Sequence, residues 1–490
     1  MIAKEEVLRI AGQLGLGPQV VEKDYALGWL LAGICANARI GDSWVFKGGT
    51  CLKKCFFETY RFSEDLDFTL QDRSHLDDAF LKEVFAEIGE WVYEQCGLEM
   101  PADRQDFDIY DNPRGNKNCQ GKITFRGPVT PTAAASWPRI KLDLTADERI
   151  VLAPVRQPIF HPYSDAPDAD IVVLSYAYEE AFGEKIRALA ERTRPRDLYD
   201  VINLYRNTEA RPSPVVLLDV LRQKCEYKGI DLPKAADLDP HRNDLEAGWE
   251  HMLRHQLPAL PPVESFWKVL PEFFAWMESG LAPEIPASYA AAAGETILRE
   301  RTLRLPVAPV LQSHLEVIRF AAANRLCVDL DYQGSTRRIE PYSLRRTKEE
   351  HIVLHAWNTD KDEHRSYRVD RIQGAHTTSQ VFSPRYAVEL TPSGPVSTPP
   401  TERRSSSSGG GGYGSIGGLA GPGPRRPSTR RNTSRGFGSS YMSGPTYVYE
   451  CMYCNKRFRR KKQANTLNPH KTPDGWDCPG RTGHLVDTQY

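Results

Sequence analysis

Arg61-Phe62-Ser63-Glu64-Asp65-Leu66-Asp67-Phe68-Thr69-Leu70 reads as a polar loop running into a strand. Side chains alternate along a strand, so Leu66, Phe68 and Leu70 face a core while Asp65 and Asp67 share the opposite face. Two carboxylates on one face repel each other unless a cation lies between them. A divalent ion such as Mg²⁺ (or Mn²⁺) takes oxygen ligands and bridges to phosphate. An isolated Asp-x-Asp is more often a solvated strand edge, so the neighbouring segments decide the reading.

Upstream, Val20 to Leu31 has helical spacing, with Val21, Tyr25, Leu27 and Leu31 on its apolar face. A short strand follows, Trp44-Val45-Phe46, then Lys47-Gly48-Gly49-Thr50, then a helical stretch from Cys51 to about Phe57 that carries Lys53. Paired glycines between strand and helix let backbone N–H groups approach a ligand, and the helix start favours negative charge. Lys47, Gly48, Gly49, Thr50 and Lys53 are therefore the candidate nucleotide-binding set, although a plain turn has the same look. Downstream, Arg139-Ile140-Lys141-Leu142-Asp143-Leu144-Thr145 alternates in the same way. A neighbouring strand would set Asp143 beside Asp65 and Asp67, and such a trio holds metal for phosphoryl chemistry. Ser175 is expected to cap a helix running to about Arg192. Tyr178, Phe182, Ile186 and Leu189 form its buried stripe, and Lys185 lies on another side, able to reach phosphate. Pro195-Arg196-Asp197-Leu198-Tyr199-Asp200 follows, where Arg and Asp pairs also serve as ordinary caps and salt bridges.

In this order, Glu22-Lys23-Asp24-Tyr25, Lys47-Gly48-Gly49-Thr50, the Arg61–Phe68 string, Glu184-Lys185-Ile186 and Arg196-Asp197-Leu198-Tyr199-Asp200 resemble the AbiEii family of nucleotidyltransferase-like toxins over roughly residues 1–290. The resemblance implies an α+β, DNA-polymerase-beta-like core with a helical C-terminal part. It implies that Gly49 and Thr50 contact a triphosphate and that Asp65 and Asp67 hold Mg²⁺. Lys185 would stabilise phosphate charge, and Asp197 would be the acidic residue of the last motif. The third acid is Asp143 by strand geometry or Asp197 by motif order, and both stay open.

His314–Ile318 reads as a short helix. Strands follow at Cys327–Tyr332, Arg337–Leu344, His351–Trp357 and Ser366–Ile372. Short strands at this spacing suggest a small barrel. The Arg-x-Ile-Glu-Pro-Tyr and Arg-x-Asp-Arg-Ile strings resemble a WYL domain, an SH3/Sm-like barrel, with Ile352-Val353-Leu354 in place of Trp-Tyr-Leu. The resemblance implies ligand sensing, with Arg338, Arg345, Arg368 and Arg371 as candidate contacts. Exposed arginines are also common without a ligand.

Cys451-x-x-Cys454 with later His470 and Cys478 offers four N/S ligands for structural Zn²⁺, with His484 as a rival to His470. Lys and Arg residues between the ligands would attract nucleic-acid phosphates. Residues 392–445 are rich in Gly, Ser, Pro and Arg and lack the apolar residues needed for a core. The 490 residues therefore divide as 1–300 transferase, 311–391 sensor barrel, 392–445 disordered linker and 447–490 zinc module. The formal net charge of −1 excludes a uniformly basic nucleic-acid binder, because the basic residues concentrate in the tail. No apolar run is long enough to span a bilayer, the N-terminus lacks a signal pattern, and seven cysteines are scattered, so a reduced, cytoplasmic, non-membrane protein is expected. The expected activity is transfer of NMP from an NTP to an acceptor hydroxyl on RNA, tRNA in particular. The biological role would be a toxin or anti-phage effector with a possible antitoxin partner. The alternative is a catalytically inactive regulator that binds nucleotide and nucleic acid.

Overall fold

The computed structural model describes residues 1–57, 61–208, 210–280, 286–290, 292, 294–299, 309–390, 446–451, 456–460, 467–470, 478 and 483–489. The expected linker and Cys454 lie outside the described residues. The chain separates into two compact units, Met1–Arg404 and Ser405–Tyr490.

The first unit is built on a mixed sheet of seven strands: β1 (Trp44–Lys47), β2 (Asp65–Leu70), β3 (Asp106–Asp111), β4 (Lys117–Thr124), β5 (Arg139–Thr145), β6 (Val155–Pro158) and β7 (Val172–Ser175). Their order is β3-β4-β5-β2-β1-β7-β6. β2 runs parallel to β5, β1 runs parallel to β7, and the remaining neighbours are antiparallel. The alternation expected for β2 and β5 is present: Leu66, Phe68, Leu70, Ile140, Leu142 and Leu144 are all buried. Phe68 packs between Trp44 and Phe46, with ring centroids 5.6 and 5.4 Å away.

The helix Pro18–Ala36 lies within this core. Pro18 presets its first turn, and its apolar residues run round the whole cylinder, as a fully enclosed helix requires. One internal ion pair anchors it. Lys54 Nζ donates to Asp24 Oδ2 at 2.7 Å and to the Asp24 carbonyl at 3.1 Å, and Tyr163 Oη donates to the same carboxylate at 2.9 Å. Lys54 belongs to a π-helical turn, Leu52–Phe56, that follows the glycine loop directly. The pair therefore clamps the segment behind the loop to the core helix.

Helices Tyr178–Arg192, Pro195–Arg206, Pro214–Lys228, Arg242–Leu253 and Leu270–Ser279 form the helical part. The expected Ser175 cap is corrected here. Ser175 ends β7, its hydroxyl donates to the Val155 and Tyr176 carbonyls, and Ala177 is the helix N-cap with no side-chain bond. Beyond it, β8 (Thr296–Ile297), β9 (Leu326–Tyr332), β10 (Ser335–Arg346), β11 (Ile352–Asn358), β12 (Glu363–Arg368) and β13 (Ile372–Val381) make an antiparallel sheet in the path β12-β11-β10-β9-β13, with β8 on β10. The single expected strand Ser366–Ile372 is two strands, because Val369–Arg371 turns as a 3₁₀ segment between them. The short helix expected at His314 extends over Pro309–Ala323 and packs on β9, β10 and β13. In the second unit, Thr446–Cys451 pairs with Arg457–Arg460 and Gly483–Gln489. Among the described residues, no helix is long and apolar enough to cross a membrane.

Removing one member of a buried ion pair leaves an uncompensated charge. Lys54→Met is expected to destabilise the fold by about 3–5 kcal/mol, measured by urea unfolding. Asp24→Leu in the same chain should recover part of that loss.

Candidate active site

The sheet order sets β2 beside β5 in parallel register, with Asp67 opposite Asp143 and Asp65 opposite Lys141. Asp67 also pairs with Lys47 of β1. Strand periodicity thus brings Asp65, Asp67 and Asp143 to one face, where they line a cavity of about 120 Å³. The glycine loop shapes its floor. Gly48 has φ +80°, and a β-carbon there would lie 2.0 Å from Asp67 Oδ2. At Gly49 a β-carbon would lie 2.7 Å from an Arg61 guanidinium nitrogen. Thr50 is fully buried, and its hydroxyl donates to the Asp65 carbonyl at 2.5 Å. The loop therefore holds the start of β2 in place through Thr50.

The facing wall is cationic, formed by Arg61, Lys185, Arg192, Arg194 and Arg196. Arg61 grips Asp200 with two parallel hydrogen bonds of 2.7 and 2.8 Å. Lys185 lies 2.7 Å from the same carboxylate and 3.8 Å from Asp197. Burial alone would raise Asp200, but Arg61 and Lys185 outweigh it and hold the carboxyl far below the ordinary carboxylate range. Asp197 takes both bonds of the Arg192 fork, at 2.7 and 2.9 Å. Arg194 and Arg196 form no ion pair among the described residues. On the other wall, burial and then the Asp143 charge push Asp67 up to about 6. Burial, opposed by a 3.3 Å bond from Gln120, raises Asp143 as well. Three oxygen-only donors in an enclosed, anion-repelling wall are the donor set that a hard divalent cation accepts.

A family model described as "Nucleotidyl transferase AbiEii toxin, Type IV TA system" matches residues 29–278, and a WYL domain model matches residues 313–377. The first spans more than half of the chain. This chain belongs to the AbiEii family. It is thus an AbiEii nucleotidyltransferase-type chain with a mixed α/β core, a β-rich region after it and a WYL match in that region. No curated protein matches. Among solved structures, MenT4, a nucleotidyltransferase toxin from Mycobacterium tuberculosis H37Rv, aligns at 19% identity and TM-score 0.38, covering 57% of this chain and 90% of that one. Proteasome accessory factor B/C of Arthrobacter aurescens aligns at 12% identity and TM-score 0.15, covering 76% of this chain and 74% of that one.

The other residues singled out in this AbiEii chain are spread more widely. Lys47 stands 3.6 Å from Glu148, at the back of the site. Lys53 does not join the carboxylate cavity. Its ammonium lies 3.9 Å from the Phe62 ring centroid, and it lines a separate apolar cavity with Ile10, Phe160 and Phe320. The Glu22–Tyr25 motif works at a distance. Glu22 accepts the Val129 N–H at 2.6 Å, Lys23 donates to Glu64 at 2.9 Å, and Tyr25 donates to Asp165 at 2.7 Å. In the WYL region, Arg338 is forked on Asp329 and Arg368 on Asp370, while Arg371 is exposed. Arg345 is enclosed, 3.3 Å from Glu389 and 3.6 Å from Glu295, so it is not presented to solvent with the others. Sequence reasoning assigned no role to Arg61, Ser63, Asp200 or the arginines of Arg192-Thr193-Arg194-Pro195-Arg196. That basic run, broken by a helix-starting proline, was the available signal.

In the second unit, the ligand atoms of Cys451, His470 and Cys478 all lie within 4.8 Å of one another. The two sulfurs are 3.8 Å apart, the edge of a tetrahedron with metal–sulfur bonds of about 2.3 Å. His470 Nδ1 bonds the Asn468 carbonyl at 2.9 Å, which leaves Nε2 with the lone pair. This trio can hold zinc.

The Asp67 carboxyl keeps its proton up to about pH 6 when folded, against 3.8 ordinarily. The folded chain then binds more protons than the unfolded chain across that window, so metal-free stability falls as pH rises through it. Asp67→Asn is expected to raise the metal-free melting temperature at pH 7 by roughly 2–4 °C. The melting-temperature gain given by Mn²⁺ in the unsubstituted chain should shrink as pH drops from 7 to 5, where protons compete for the same oxygens.

Proposed function

We propose that this chain moves a nucleotidyl group from an NTP to an acceptor hydroxyl on RNA, tRNA in particular, and releases pyrophosphate. The observation that carries the reading is the opposition of Asp65, Asp67 and Asp143 to the arginine-rich wall across one small cavity. The acceptor oxygen bonds to the α-phosphorus, the α–β bridging bond breaks, and the electron pair leaves with pyrophosphate. Asp65, Asp67 and Asp143 would hold Mg²⁺ or Mn²⁺, which would supply Lewis acidity for phosphoryl transfer. Asp143 is favoured over Asp197 as the third acid, because Asp197 is already forked on Arg192 while Asp143 stands level with Asp67. The acceptor proton passes to Asp143, the carboxylate level with Asp67 whose side chain takes, among the described residues, a single 3.3 Å bond from Gln120. Arg194 and Arg196, at the start of the helix Pro195–Arg206, meet the charge that grows on the leaving phosphates. Lys185 acts on the same charge from its seat on Asp200. Gly49 lets the triphosphate approach the backbone, and Thr50 fixes Asp65.

The transferase is assigned to residues 1–300, a WYL sensor barrel to 311–391, a linker to 392–445 and a zinc module to 447–490. Cys454 would complete the Cys451, His470 and Cys478 set. The whole acts in the cytoplasm as a toxin or anti-phage effector. The WYL part and a separate antitoxin protein are its regulators, and the basic tail provides nucleic-acid attraction.

Purified chain incubated with each labelled NTP and total RNA is expected to transfer label. Asp65→Asn or Asp67→Asn should lower the rate on the order of 100-fold or more, and Arg196→Gln should reduce kcat/KM by about tenfold. Retained nucleic-acid binding with no transfer from any NTP would sink the reading and favour an inactive regulator. One equivalent of zinc per chain is expected by metal analysis, and it should be lost in Cys451→Ser.

A further inference from the structure

A second, larger cavity lies where the helical part meets the sheet of β9–β13. Its volume is about 610 Å³, within the range of small-molecule sites. Its lining is positive on balance, with four cations against Glu264 and Glu272. Arg206, Arg211, Arg325 and Lys268 line it. Glu264 accepts from Arg242 at 2.6 Å and lies 3.7 Å from Lys268, and Glu272 accepts the Tyr205 hydroxyl at 2.8 Å, so the three arginines carry the charge that is left over.

The guanidiniums are held in place but not neutralised. Arg206 donates through Nη2 to the Ser265 carbonyl at 2.6 Å, while its Nη1 is buried with no hydrogen-bond partner. Arg325 donates to the Ala322 carbonyl at 2.9 Å. It sits at φ +57°, two residues past the last residue of the helix Pro309–Ala323. The Phe382 N–H is donated to the Arg325 carbonyl at 2.9 Å, which fixes this turn to the end of β13. Arg211 donates to the Tyr205 carbonyl and lies 4.1 Å from that ring's centroid. Burial, and then the Arg325 charge, pull Arg206 down to about 9. Burial draws Arg325 down to about 10, with Arg211 adding to it. Cations collected in one partly desolvated space, with a donor to spare, call for an anion rich in acceptor oxygens. Phe382 and Tyr386 supply an apolar wall for the remainder of that molecule.

We propose that this cavity is a regulatory site for a small organic phosphate, gripped by Arg206 and Arg325 from the two sides of the junction. The fold gives the site a route to the carboxylates. The helix Pro195–Arg206 carries Asp197 and Asp200 near its start and Arg206 at its end. Twelve residues make a rod of about 18 Å, and a rod transmits displacement from one end to the other. Binding stands on the cavity alone, whereas the effect on catalysis rests on the transferase reading above.

The test is calorimetric titration of the full chain with AMP, with inorganic pyrophosphate and with adenosine. AMP is expected to fill two classes of site. Arg325→Gln and Arg206→Gln should each weaken one class at least tenfold. Arg196→Gln, in the carboxylate cavity, should weaken the other class. Lys268→Glu, on an exposed side chain, should weaken the first class without a change in melting temperature, which controls for misfolding of the arginine variants. Adenosine should not bind at the junction. A single class of site, insensitive to Arg325→Gln and Lys268→Glu, would overturn the proposal. Binding of pyrophosphate but not AMP at the junction would overturn the organic ligand. If the junction binds AMP and no NTP is ever transferred, the site stands and only the transferase reading fails.

Discussion

Asp200 accepts the Arg61 fork and the Lys185 ammonium on one buried carboxylate, and the arrangement of the candidate active site follows from that three-way contact. Arg61 sits just before β2, Lys185 on the helix Tyr178–Arg192 and Asp200 on the helix Pro195–Arg206. One internal anion therefore joins the strand that carries the carboxylates to both helices that carry the cations. Inside a protein such a cluster is tolerable only when each charge is met by good geometry, since desolvation penalises every member. Here the fork and the short ammonium contact meet that condition. They leave Lys185 fixed at the edge of the cavity and not free to sample solvent.

The opposite wall lacks this compensation. Asp67 and Asp143 face each other with Lys47 at the back, and burial drives both carboxyls upward. Gly48 admits Asp67 into this position, because any side chain at 48 would collide with its carboxylate. The wall is shaped for charge that arrives from outside. The stability it forgoes is supplied elsewhere, by the aromatic packing around Phe68 and by the Asp24–Lys54 pair.

Much of this was legible in the residues. Period-two alternation fixed which side of β2 and β5 carries Asp65, Asp67 and Asp143, and an apolar stripe located the helix that bears Lys185. What alternation cannot reveal is long-range pairing. Thr50 looked like a phosphate ligand, but its hydroxyl is committed to the Asp65 carbonyl, a bond that exists only once the loop lies against β2. Lys53 lies within the π-helical turn Leu52–Phe56, whose wider winding sets it at a different angle from the one an α-helix would give. Asp200 and the Arg192–Arg196 run had the composition of caps and surface pairs, and only the docking of two helices against the sheet turns them inward. The break at Val369–Arg371 was hidden for a related reason, since those residues suit a strand and the turn is imposed by neighbouring pairings.

The four consecutive residues Glu22 to Tyr25 hold four different segments: the loop at Val129, Glu64 ahead of β2, Lys54 behind the glycine loop, and Asp165. Successive helix positions are about 100° apart, so these attachments surround the helix almost completely. A rod keyed at four angles can neither roll nor slide without breaking at least one of them. The sheet side of the cavity is thus held at a fixed angle to its core helix, independently of the contacts that Asp200 makes across the site.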